Sequence, residues 1–197
     1  MDFFRLLYLV SILLFFSCGN NTAKSIQQQE ISQEFDVFAN ECIKFDIESL
    51  KVNALPFVDS TSFDNFSFEN KLNQVQIQKL KLDERFGSVS VFYLNYRIEL
   101  SENFISLVVS YERGEHELFT ILVNYDRDYR IIDALYIAYH EIAESWFRKI
   151  GTIHTDKIIV EKFNYMDYYI EGEIMSETFV YKIDTGGRFF KYQHYID

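Results

Sequence analysis

The amino-acid sequence predicts an α+β chain: one or two N-terminal helices packed on a large curled antiparallel β-meander of about seven to nine strands. Three observations predict it. Apolar residues recur at spacings of three and four early in the chain, but in β-branched and aromatic runs from Ser88 onward. Those later runs return about every ten residues. The links between them are too short to hold crossover helices, so neighbouring strands must pair antiparallel. A partly closed β-barrel is the alternative that the same strands allow.

In chain order, "EFDVFANECIKF" sets Phe35, Phe38, Cys42 and Phe45 at helical spacing with Ala39 between them, which predicts a helix with one apolar stripe. "SFENKLNQVQIQKLKLDE" predicts a second, short helix on Leu72, Val75 and Leu80, although Val75 to Ile77 also suits a strand. The intervening "ALPFVDSTSFDNFSF" reads as a loop laid over the core by its phenylalanines, and it holds Pro56, the only proline. Strands are then predicted over 89–100, 104–111, 117–125, 130–137, 146–152, 157–163, 168–175, 179–183 and 188–195. The links "RGE", "DRD", "TD", "YMD", "SE" and "DTGG" carry turn chemistry. Alternation is cleanest in "YYIEGEIM", with Tyr168, Ile170 and Ile174 on one face and Glu171 and Glu173 on the other. A sheet with one wet face needs a cover for its dry face, which two helices would supply. With 20 Phe and 14 Tyr, the core is expected to consist largely of rings.

Ahead of this body the chain opens on Arg5 and an apolar run of 11 residues, Leu6 to Phe16, broken only by Ser11. A bilayer-spanning helix needs roughly 20 apolar residues, so the run reads as a secretory signal peptide. "FFSC" resembles a bacterial lipobox with Ser17 as the small residue before Cys18. Its relaxed form, with Phe15 and Phe16, and the Phe- and Tyr-rich body resemble lipoproteins of the Bacteroidota. The resemblance implies removal of residues 1–17 and lipid on the sulfur and new amino group of Cys18. It also implies membrane attachment through several acyl chains, each buried methylene contributing about 0.8 kcal/mol. Residues 18–32 are polar and read as a tether spanning ~20 Å, ahead of one domain over 33–197. Cys18 and Cys42 are the only cysteines, so lipidation of the first leaves no disulfide within the chain, and Cys42 reads as a small buried apolar residue. "CGNNTAKSIQQQ" carries no acid before Glu30. The expected location is therefore the outer membrane on its periplasmic side, with the cell surface or the inner membrane as alternatives.

The charge balance, 30 acids against 19 bases for a net −11, excludes a phosphate-tracking nucleic-acid binder and a purely electrostatic hold on anionic lipid. "HEIAE", His140 to Glu144, resembles the zincin HExxH, but Glu144 replaces the second histidine and the segment falls between two predicted strands. His116, His154 and His194 share no spacing and read as half-exposed sheet residues. "NYDRDYR" lacks the glycine and the distal glutamate of a calcium loop, and "DTGGR" lacks the second aspartate of an aspartic protease; both read as hairpin turns. No metal and no cofactor are expected.

One stretch points to recognition. In "GRFFKYQHYID" strict alternation puts Phe190, Tyr192 and Ile196 on one side and Phe189 and Tyr195 on the other. Apolar bulk on both sides means either a sandwiched strand or aromatics offered to a partner. Phe189, Tyr195 and Tyr169 form the candidate interaction surface. The expected function is a membrane-anchored, non-catalytic binding or scaffold module for a protein partner. The alternatives are an inhibitor or immunity-type protein, and an envelope hydrolase with an unrecognised site.

Overall fold

Hairpin turns written into the sequence organise the sheet. A computed structural model describes residues 47–87, 89, 91–142, 147–165 and 175–196, all within one compact unit, Asp46–Asp197. Between β4 (Glu117–Tyr125) and β5 (Ile131–Glu141), Asp126 Oδ1 accepts from the N–H groups of Asp128 and Arg130, both at 2.9 Å. Between β8 (Met175–Ile183) and β9 (Phe189–Ile196), Asp184 Oδ1 accepts from Gly186 N and Arg188 N at the same distance. Each carboxylate closes its own turn, as "DRD" and "DTGG" imply.

The remaining strands are β1 (Phe57–Asp59), β2 (Phe92–Ile98), β3 (Ile105–Arg113), β6 (Phe147–Ile153) and β7 (Lys157–Asn164). From β2 to β9 every strand pairs antiparallel with the next, giving the expected meander. The sheet stays open, because β2 and β9 lie at opposite ends of the strand order; the barrel alternative does not form. Two expectations change. The predicted loop 54–68 contains β1, which pairs with β6. The strand predicted over 179–183 begins earlier, at Met175, as β8. The strand predicted over 168–175, apart from Met175, and the helix predicted over Phe35 to Phe45 lie outside the described residues.

Helix is a minor component of the described residues, so the architecture is mainly antiparallel β. The second predicted helix is two short ones, α1 (Gln74–Lys79) and α2 (Leu82–Phe86). A capping box starts α1: Asn73 accepts from Gln76 N, and the Gln76 side chain accepts from Asn73 N. Lys81, at φ 54°, breaks the run before α2. Leu72 and Leu80 are buried as predicted, but Val75 is exposed and Ile77 is buried in its stead. Phe86 sets its ring against Phe92, Tyr111 and Tyr136.

The sheet is bent into two leaves. β5 and β6 pair only through Tyr139↔Lys149 and His140↔Arg148. Beyond that point β1 occupies the edge of β6, with Phe57↔Ile153, Val58↔Thr152 and Asp59↔Gly151 in register. The leaves β2–β5 and β6–β9 then share one core: Tyr96, Ile98, Val108, Leu122, Leu135 and Ile137 from the first, Ile153, Ile158 and Val160 from the second. Gly151 stands at the parting, where a Cβ would lie 2.7 Å from Ile137 O and 3.0 Å from Ile137 Cβ. At the far end the β8–β9 turn reaches back to the first leaf. Asn124 Nδ2 donates to Gly187 O at 2.8 Å, and Phe189 N donates to Asp133 Oδ2 at 2.9 Å.

A polar group is buried where β1 enters. Asp59, 2% exposed, accepts from Thr61 N at 2.9 Å and from the Tyr96 hydroxyl. Burial first, then the charge of Asp59 and the hydrogen bond to it, hold the Tyr96 phenol protonated far above its ordinary range. That bond ties β1 to β2 across the core.

Two outcomes follow from this packing. Gly151→Ala overpacks the parting and lowers stability by about 1–3 kcal/mol, read as a lower urea midpoint at unchanged slope. Tyr96→Phe leaves Asp59 with Thr61 N–H as its remaining donor and costs about 1–3 kcal/mol in the same measurement. An unchanged midpoint in either variant contradicts the packing described.

Candidate functional site

Among the described residues β9 ends the strand order and pairs only with β8. Its alternation breaks part way along: Tyr181 pairs with Lys191 and Val180 with Gln193, so Tyr192 is an extra residue in a β-bulge. The bulge regroups the side chains. Phe189, Lys191, His194 and Ile196 now share the face of Ile183, Tyr181, Phe179 and Glu177, while Phe190 and Tyr195 share the face of Lys182 and Thr178. The sequence-based pairing of Phe189 with Tyr195 is therefore undone. Phe189 is half-buried against the shared core. Tyr195 is 48% exposed, beside Phe190 at 46% and Tyr192 at 54%. Lys182 Nζ sits 3.8 Å from the centroid of the Tyr192 ring, a cation held over an aromatic face. Tyr169 and Cys18 lie outside the described residues.

The second leaf is locally basic in an acidic chain. Strands β6 to β9 carry the cations Arg148, Lys149, Lys157, Lys162, Lys182 and Lys191 against only Glu161 and Glu177. Glu177 gathers two of the neighbouring bases: Lys162 Nζ donates to Oε1 at 2.9 Å, and His194 Nε2 lies 3.0 Å from Oε2. The bond from Lys162 first, then that from His194, hold its carboxyl below the usual range. His194 also stacks on Phe179, with centroids 4.4 Å apart. Burial, followed by the charge of Lys162, lowers the Lys149 ammonium below its ordinary value, with Glu177 pulling the other way.

The register carries one row of residues across all eight meander strands: Phe92, Tyr111, Phe119, Tyr139, Lys149, Lys162, Glu177, Ile196. Its first half is ring on ring, Tyr111 stacked on Phe119 at 4.9 Å and Phe119 against Tyr139 at 4.8 Å. The Tyr139 hydroxyl donates to Glu117 at 2.9 Å and to Glu141 at 3.1 Å, and the charged half begins on the next strand.

The histidines do not assemble. His140 lies within β5, which runs four residues beyond its predicted end, and its Nδ1 accepts from Phe63 N at 3.2 Å. Glu144, the last residue of "HEIAE", is outside the described residues. Among the described residues no three His, Cys, Asp or Glu side chains converge to hold a metal ion. The bulge at Tyr192 and the basic leaf were both missed from sequence. After residue 147 the sequence carries seven Lys and Arg against eight Asp and Glu, so composition alone gave no signal for the second. Compared with family models, curated proteins and solved structures, the chain matches none.

Glu177 supplies a pH-dependent prediction. Its folded value lies below the unfolded 4.5, so its stabilisation is complete above that pH and is lost as the pH falls through the folded value. Glu177→Gln should therefore melt earlier than the parent at neutral pH and match it in strong acid. A gap of equal size at both pH values, measured by thermal denaturation, contradicts this.

Proposed function

We propose that the chain is a lipid-anchored envelope protein that acts as a non-catalytic binding module, presenting β9 to a protein partner. The observation that carries the reading is the exposed aromatic group Phe190, Tyr192 and Tyr195 on a strand that, among the described residues, is paired along one edge only. Tyrosines supply large contact area at low entropic cost and are enriched at interfaces. An edge strand offers unpaired backbone donors and acceptors that a partner strand can take up. The surrounding cations favour an acidic partner.

The anchor is part of the same proposal. Lipid on Cys18 followed by the polar 18–32 segment would hold the module near the outer membrane, with its β9 strand free to meet partners in the periplasm. No helix among the described residues is long and apolar enough to cross a membrane.

Two measurements test the reading. The full chain, solubilised in detergent and used as bait, should retain a protein that the Tyr192→Ala/Tyr195→Ala double variant loses, with the variant's urea midpoint unchanged. Equal retention by both baits overturns the assignment of β9. Cys18→Ser should move the chain from the membrane to the soluble fraction, and undiminished membrane attachment overturns the anchor.

A further inference from the structure

Beside the His140↔Arg148 pair, a cavity of about 440 Å3 opens between the ends of β5 and β6, the loop after β1 and the end of β7. It lies within the range of small-molecule sites. Its walls include Ile142, Phe147 and Tyr165, and its polar groups include Asp64, His140 and Arg148.

Glu141 also lines the cavity and accepts from the Tyr139 hydroxyl, whereas Arg148 and Asp64 form no ion pair with each other. Arg148 Nη2 donates to Ser60 O at 3.3 Å, which fixes the guanidinium in place, and Nε has no partner. Among the described residues Arg148 forms no ion pair, although the chain carries 30 acids. Asp64, which lines the same cavity, is exposed and forms none either. His140 lines it too, and its ring feels both: burial and then Arg148 lower its pKa, while Asp64 raises it. With Nδ1 taken by Phe63 N–H, the neutral ring carries its proton on Nε2 and adds a donor. A cation and an anion that line one cavity with aromatic residues and do not pair with each other complement a molecule bearing both charges and an apolar body.

We infer that this cavity binds an apolar or aromatic α-amino acid as its zwitterion. Arg148 and His140 take the carboxylate, Asp64 takes the ammonium, and the rings of Phe147 and Tyr165 flank the side chain. The site is separate from the β9 surface and stands or falls independently of it.

The test is equilibrium dialysis of radiolabelled phenylalanine against the full chain in non-ionic detergent. 3-Phenylpropionate, which lacks the ammonium, and phenethylamine, which lacks the carboxylate, serve as competitors. Phenylalanine should bind at millimolar concentration or below, with both competitors at least about tenfold weaker, because a site built for a polar group rejects the analogue without it. Arg148→Met should weaken phenylalanine while leaving phenethylamine unchanged, and Asp64→Asn should do the converse with phenylpropionate. Because the competitor comparison uses the parent chain, a variant that fails to fold leaves the inference open to refutation. Phenylpropionate or phenethylamine binding as tightly as phenylalanine overturns it, as does absence of phenylalanine binding at millimolar concentration.

Discussion

The parting of β5 from β6 after two residue pairs is the constraint on which the rest of the molecule depends. A sheet of this many strands cannot bury an apolar face by twisting alone; it must curl or fold over. Here it folds over. The hydrogen-bonding edge that β6 loses is taken up by three residues of β1, so Gly151 to Ile153 keep strand partners on both sides. Gly151 permits the close approach, since any side chain there would meet the backbone of Ile137. The common core and the buried Asp59–Tyr96 bond both sit around this one departure.

Much of the meander is legible in the sequence because turns act locally. Asp126 and Asp184 close their hairpins with their own side chains, so a reader of "DRD" and "DTGG" has the whole mechanism in view. β1 was illegible for the opposite reason. "FVD" is three residues among Ser, Thr and Asp, and what makes it a strand is an edge of β6 nearly a hundred residues away. The bulge at Tyr192 hid for a third reason: alternation in sequence fixes parity only while pairing is one to one. One extra residue moved Tyr195 from the side of Phe189 to that of Phe190.

The site features fall on the illegible side of the same division. After residue 147 the sequence carries seven Lys and Arg against eight Asp and Glu, so the basic character of the leaf comes from the division between strands and links: six of the cations fall on β6 to β9 with only two acids. The grouping of Asp64, His140 and Arg148 is not legible either, because Asp64 comes from the loop after β1 and the other two from the ends of β5 and β6. The row from Phe92 to Ile196 shows both sides of the matter. Its aromatic half lies on the first leaf, where the rings contact one another, and its charged half lies on the second, where half-exposed side chains reach water.

The buried amide of Asn124 has a consequence for how the molecule comes apart. It clasps the carbonyl of Gly187 while Asp133 holds the amide of Phe189, so the leaves are latched at a second place, distant from the hinge at Tyr139. Two fastenings at opposite ends leave neither leaf able to swing open or melt by itself. The terminal hairpin, which by position alone would be the first element to fray, is thereby drawn into the same cooperative unit as the central strands.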